Sequence, residues 1–196
     1  MLKEIKKHWN KITEGWKGYV IYALAGIMLA YLINTILGFV LHTDLPVVAV
    51  ASSSMTHKPV NGMVCGRMVT NYNSDFDDWW EICGDTYREF NITKSEFKKF
   101  PFPNGFQMGD VPIIKGSKVY KVGDIIVYSI KEGSVPIIHR IVAVNPDGTY
   151  QTKGDHNAGQ LPYEKRVKKS QIHGKVIGVI PCIGWVKVGL MKMVGV

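Results

Sequence analysis

The chain carries only three cysteines in 196 residues, and no two form a C-x-x-C pair. A zinc knuckle or a thioredoxin-type redox site is therefore not expected. Cys65 and Cys83 lie 18 positions apart, a spacing open to one disulfide on an oxidising face or to two buried free thiols. There is no internal repeat and no low-complexity segment, and with 46% hydrophobic and 20% charged residues the composition is globular, not disordered. Basic residues exceed acidic ones by eight, yet no nucleic-acid-binding motif and no aromatic–basic interleaving accompany them. A nucleic-acid partner is not expected.

Charge is also missing from residues 19–41, a run of 23 uncharged residues in which Asn34 and Thr35 are the only clearly polar side chains. As a helix it is long enough to cross about 30 Å of hydrocarbon. A core helix of this length would keep a polar face. A cleaved leader would have a shorter apolar core and a small-residue cleavage site, whereas this run continues through Phe39, Val40 and Leu41. An uncleaved span is expected. Residues 1–18 hold five lysines against two glutamates, and no Lys or Arg occurs between His42 and His57. By the positive-inside rule the N-terminal tail is cytoplasmic and residues 42–196 form an extracytoplasmic domain on a single-pass anchor in the cell membrane. Trp16, Tyr19 and Tyr22 suit the cytoplasmic interface. Residues 111–196 carry thirteen basic against five acidic side chains, which in a membrane protein points to anionic lipid. Residues 181–196, apolar with Lys187 and Lys192, read as a segment lying on the membrane surface.

Beyond the anchor, residues 46–51 (PVVAVA) predict a short strand ending in a serine cluster. Residues 60–108 form an inserted lobe, helical in part. In it Ser74 and Thr93 are plausible N-caps, the latter with Glu96 in a capping box, and Phe76, Trp79, Trp80 and Cys83 recur at helical spacing. The lobe carries no evident chemistry and reads as a plain surface insertion, with an exposed helical lobe that contacts substrate or a partner as the alternative. Asn91-Ile92-Thr93 is a glycosylation sequon. Strands are expected over 111–114, 125–130, 137–144, 149–152 and 176–180, with a turn at Asn145-Pro146-Asp147-Gly148.

Three segments carry candidate chemistry. Ser52-Ser53-Ser54-Met55 follows the apolar run; a hydroxyl there needs a base to become a nucleophile. His139, in the strand IIHRIVAV, can be that base near neutral pH. Gly154-Asp155-His156-Asn157 supplies a carboxylate, and Ser-His-Asp groups need only meet in space. In order along the chain stand Ser52-Ser53-Ser54-Met55 with Pro59, Gly109-Asp110-Val111, residues 123–128 (GDIIVY), residues 136–141 (PIIHRI), Lys153-Gly154-Asp155-His156-Asn157 and residues 174–181 (GKVIGVIP). This set resembles the type I signal peptidases, in particular their archaeal and endoplasmic-reticulum branch.

The resemblance implies a mainly β, signal-peptidase/LexA-like coiled β-sheet domain on one N-terminal transmembrane helix, with a small helical insertion. It implies a serine endopeptidase that removes signal peptides from exported preproteins, with Ser54 as nucleophile and His139 as base where the bacterial branch has lysine. Ser52 and the Ser54 backbone N–H would hold the oxyanion. No metal or cofactor is implied. The expected partners are preprotein signal peptides, membrane lipid and the protein-export translocon. The chain departs from the pattern where relatives carry a second acidic residue, a position held here by Leu161. Asp155 is the expected orienting carboxylate, with Glu164 or a dyad as alternatives. The competing readings are an inactive member of that family and a membrane-anchored β domain without activity. Ser54 lies thirteen residues past the span, so even an extended chain holds it within about 45 Å of the membrane.

Overall fold

A computed structural model describes residues 15–181 and residue 189. Most of the basic tail, residues 1–14, and nearly all of the expected membrane-surface segment, including Cys182, lie outside the described residues. The chain divides into two compact units at residues 40/41.

Helix α1 spans Trp16–Leu41, and all of it but the last residue belongs to the first unit. Its 26 residues would measure about 39 Å at the α-helical rise. It is the single helix among the described residues long and apolar enough to cross a membrane. It starts three residues before the uncharged run. The Thr35 hydroxyl donates to the Tyr31 carbonyl at 2.9 Å, so this polar group is satisfied within the helix.

The second unit is built on a five-stranded antiparallel sheet. Its strands are β3 (Val111–Lys115), β4 (Ile125–Tyr128), β5 (Ile137–Val144), β6 (Tyr150–Lys153) and β7 (Ile172–Ile180), in the order β3-β7-β4-β5-β6. A small hairpin of β1 (Met63–Val64) and β2 (Arg67–Met68) stands apart. The mainly β fold with a small helical part is as expected. All four residues of β4 are buried, because both sheet faces are covered. Ile125 and Val127 pack with Val50, Met55, Phe106 and Val176 on one side, and Ile126 and Tyr128 pack with Ile141, Tyr150 and Val167 on the other.

Residues 46–51 do not form a regular strand. They run extended beside β3, with Val47 opposite Ile113, the Val50 N–H donating to the Asp110 carbonyl at 2.9 Å and the Ile114 N–H donating to the Pro46 carbonyl at 2.9 Å. The ladder breaks at Pro112, which has no N–H to give.

In the lobe, α2 (Phe76–Arg88) is capped by Asp75 and not by Ser74. The Asp75 carboxylate accepts from the Asp78 N–H at 2.8 Å, while Ser74 turns into the left-handed region at φ 62°. The short α3 (Lys94–Phe97) has the expected Thr93–Glu96 capping box. Trp79, Trp80, Cys83 and Tyr87 share the buried face of α2 and meet Phe97 and Val142 of β5. Cys65 and Cys83 form a disulfide, with Cα atoms 5.7 Å apart. The lobe is therefore not a plain surface insertion: its aromatic core packs against the sheet. Asn91 sits exposed in the α2–α3 turn at φ 59°.

Candidate active site

Ser54 sits in a turn anchored on both sides. Met55 is buried in the core, and its carbonyl accepts from the Phe106 N–H at 2.9 Å. The Ser54 carbonyl accepts from the His156 N–H at 2.8 Å. The side chain itself stays partly exposed, with its Oγ 3.2 Å from that of Ser52.

His139 lies on β5 opposite Ile126 of β4 and is almost fully buried. Its Nδ1 is 2.5 Å from Glu164 Oε1. Glu164, fully buried in the 3₁₀ turn Pro162–Lys165, uses its other oxygen to accept from the Leu161 N–H at 2.6 Å. Against a carboxylate that only accepts, a neutral imidazole carries its proton on Nδ1 and presents Nε2 as the acceptor. Gly154 closes the back of this arrangement. A Cβ there would fall 2.8 Å from His139 Nε2, 2.8 Å from the Ser54 carbonyl oxygen and 2.7 Å from Asn157 Nδ2. Only glycine lets these groups approach so closely.

The site opens into a mostly apolar groove of about 620 Å³. Residues 48–51 and 135–138 line it, with Ser52, Ser54, His139, Asn157, Leu161 and Tyr163. Ser54, Ser52 and His139 are thus brought to one groove.

Asp155 is not the carboxylate on His139, which corrects the expectation. His139 and Arg140 are consecutive on a strand and point to opposite sheet faces. Asp155 is turned toward the Arg140 face, where it is fully buried. It accepts from Arg140 Nη2 at 2.7 Å, Arg140 Nε at 3.0 Å and the Tyr87 hydroxyl at 2.7 Å, with His57 Nε2 at 3.3 Å. Burial alone would raise its pKa, but the Arg140 charge and the hydrogen bonds from His57 and Arg140 outweigh that and hold it well below the usual carboxylate range. Arg140 spends its remaining donors on the carbonyls of Pro101, Phe102 and Gly123, at 2.8, 2.9 and 3.1 Å. Its guanidinium also lies over the Phe97 ring, 4.6 Å from the centroid.

His57 and Tyr87 escaped the sequence reading, as did Lys153 beyond its place in the motif. His57 lies flat on Trp79, with ring centroids 3.7 Å apart, and burial lowers its pKa. Lys153, opposite Arg140 across the β5–β6 ladder, is fully buried, and burial lowers its pKa to about 8. Its ammonium sits 4.7 Å from the Tyr87 ring centroid. The available signal for Tyr87 is its position one helical turn beyond Cys83 on the same apolar stripe. Among the described residues no cluster of His, Cys, Asp or Glu could hold a metal ion.

No protein-family model matches the chain. Among curated proteins, it is 34% identical over 98 residues to the signal peptidase complex catalytic subunit SEC11 of Chaetomium globosum, covering 44% of this chain and 57% of that protein. It is 35% identical over 99 residues to the subunit of the same name from Lachancea thermotolerans, covering 44% and 59%. Over 93 residues it is 37% identical to that of Candida albicans. The match therefore spans less than two thirds of these relatives' length. Within it the resemblance read from the motifs is borne out: the chain is similar in sequence to the catalytic subunits of signal peptidase complexes, of the eukaryotic and archaeal type I branch.

Proposed function

We propose that the chain is a membrane-anchored serine endopeptidase that removes signal peptides from exported preproteins, with Ser54 as nucleophile, His139 as general base and Glu164 as the orienting carboxylate. The observation that carries the reading is the shared groove: Ser54 and His139 line it together, and His139 Nδ1 is held by the buried Glu164 carboxylate. The similarity to named signal peptidase subunits supports the same reaction.

The substrate lies extended between residues 48–51 and 135–138, where backbone groups on the edge of the 46–51 segment are open to pairing. The apolar walls accept small side chains near the scissile bond. Ser54 Oγ attacks the carbonyl carbon as His139 Nε2 takes its proton, and Glu164 stabilises the imidazolium. The oxyanion forms beside the Ser54 N–H and the Ser52 hydroxyl. His139 returns the proton to the leaving amine, and water, activated by the same base, releases the acyl group from Ser54. Helix α1 anchors this site, with the N-terminus cytoplasmic and the catalytic unit outside. Membrane lipid, the export translocon and further subunits of a complex are the expected partners.

Preprotein cleavage in liposomes tests the assignment. The wild type is expected to release a signal peptide, and Ser54→Ala and His139→Ala are expected to be inert. Turnover retained in Ser54→Ala would overturn it.

A further inference from the structure

We propose that Tyr87, on the inserted lobe, is a positioning residue for the Ser54–His139 pair, acting through Asp155, and that the Cys65–Cys83 disulfide holds it in place. The inference rests on the peptidase reading of the groove.

Asp155 stands between two residues that set the site. Gly154 backs His139 Nε2, and the His156 N–H fixes the Ser54 carbonyl at 2.8 Å. Whatever places Asp155 therefore places the nucleophile and the base together. Three side chains hold its carboxylate. Arg140 adjoins His139 on β5, His57 lies three residues after Ser54, and Tyr87 comes from the lobe. Pure packing in an aromatic core would be served by phenylalanine at position 87. A fully buried hydroxyl there needs an acceptor, and Asp155 Oδ1, 2.7 Å away, is that acceptor.

The disulfide grips the same turn from both ends. Cys83 precedes Tyr87 by one turn of α2, and the Cys65 N–H donates to the His156 carbonyl at 3.1 Å. The lobe also closes on the nucleophile turn, with Thr56 opposite Gly105 and the Phe106 N–H bonded to the Met55 carbonyl. A lobe that leaves and returns beside Ser54, and reaches under the sheet to Asp155, couples its own integrity to the geometry of the site.

The test compares wild type, Tyr87→Phe and Ile92→Val in preprotein cleavage, with thermal midpoints measured alongside. Tyr87→Phe keeps the ring and removes one hydroxyl. It is expected to lower kcat between about tenfold and a hundredfold with KM unchanged, as sub-ångström misplacement does. Ile92→Val loosens the buried lobe core without touching Asp155, and is expected to keep the wild-type kcat. Dithiothreitol is expected to lower the kcat of the wild type, and to leave that of the Cys65→Ser/Cys83→Ser double variant where it already stands. A Tyr87→Phe variant with wild-type kcat, or an Ile92→Val variant that loses as much, overturns the inference while the peptidase reading stands. A wild type inert in the same assay overturns the peptidase reading, and this inference with it.

Discussion

Replacing Glu164 by glutamine is the sharpest perturbation of the proposed base. Glu164 makes two contacts of different kinds. Oε2 accepts from the Leu161 N–H at 2.6 Å and Oε1 faces His139 Nδ1 at 2.5 Å. A backbone N–H can only donate, so in Glu164→Gln the amide oxygen must face Leu161. The amide NH₂ then faces His139 and demands an acceptor at Nδ1. The imidazole answers by carrying its proton on Nε2, the nitrogen that must receive the Ser54 proton. Wrong-tautomer substitution of this kind costs a serine peptidase up to about 10⁴ in kcat, and a loss of 10²–10⁴ corresponds to about 2.7–5.4 kcal/mol of activation free energy. Substrate binding in the apolar groove is untouched, so KM should stay near the wild-type value. Because both polar contacts keep a partner, the thermal midpoint should move little. Steady-state cleavage of a fluorogenic preprotein segment reads kcat and KM separately. A kcat within twofold of the wild type would refute the assignment of Glu164.

Asp155→Asn should lower stability as well as disturb the placement of Ser54 and His139. It takes the negative charge from a fully buried pair with Arg140, a loss of roughly 3–5 kcal/mol against a total of about 5–15 kcal/mol for a typical domain. Asp155 is held below its ordinary pKa, so its contribution is complete above the unfolded value near 4 and is lost as pH falls through the folded value. Urea unfolding should show the full gap between wild type and variant at pH 7 and a narrower one at pH 3; a gap that widens at pH 3 would contradict the ion pair. Gly154→Ala would bring a methyl within 2.8 Å of His139 Nε2 and of the Ser54 carbonyl. It should lower kcat at least about a hundredfold, and an unaltered kcat would show that these groups do not need their close approach.

The long apolar helix α1 was legible because an uncharged run of that length and composition favours a helix throughout. The strands were legible from β-branched runs punctuated by glycine, proline and the 145–148 turn. What escaped was geometry that spacing does not encode. The motif around Asp155 marks a carboxylate near the base in the chain, but not the sheet face on which it ends. The alternation of His139 and Arg140 along β5 sends Asp155 to one face and leaves His139 to Glu164. Pro112 hid the irregular pairing of residues 46–51, since the break lies in the partner strand and not in the apolar run. The aromatic stripe of α2 predicted a helix with a buried face, but its reach to Arg140, Lys153 and Asp155 is a tertiary fact. Asp75 and Ser74 are about equally good caps by residue type, and only the backbone decides between them, since Ser74 lies in the left-handed region while Asp75 is extended.

The central claim is that Ser54 forms the acyl-enzyme, and peptide mapping of an acid-quenched reaction tests it most directly. Incubation with an activated ester of a signal-peptide segment, followed by quenching and mass spectrometry, should place the acyl mass on the peptide containing Ser54. The adduct should be missing in Ser54→Ala and slow to form in His139→Ala. Turnover by the wild type with the acyl group mapped to another residue, or an undiminished adduct in Ser54→Ala, would contradict the account.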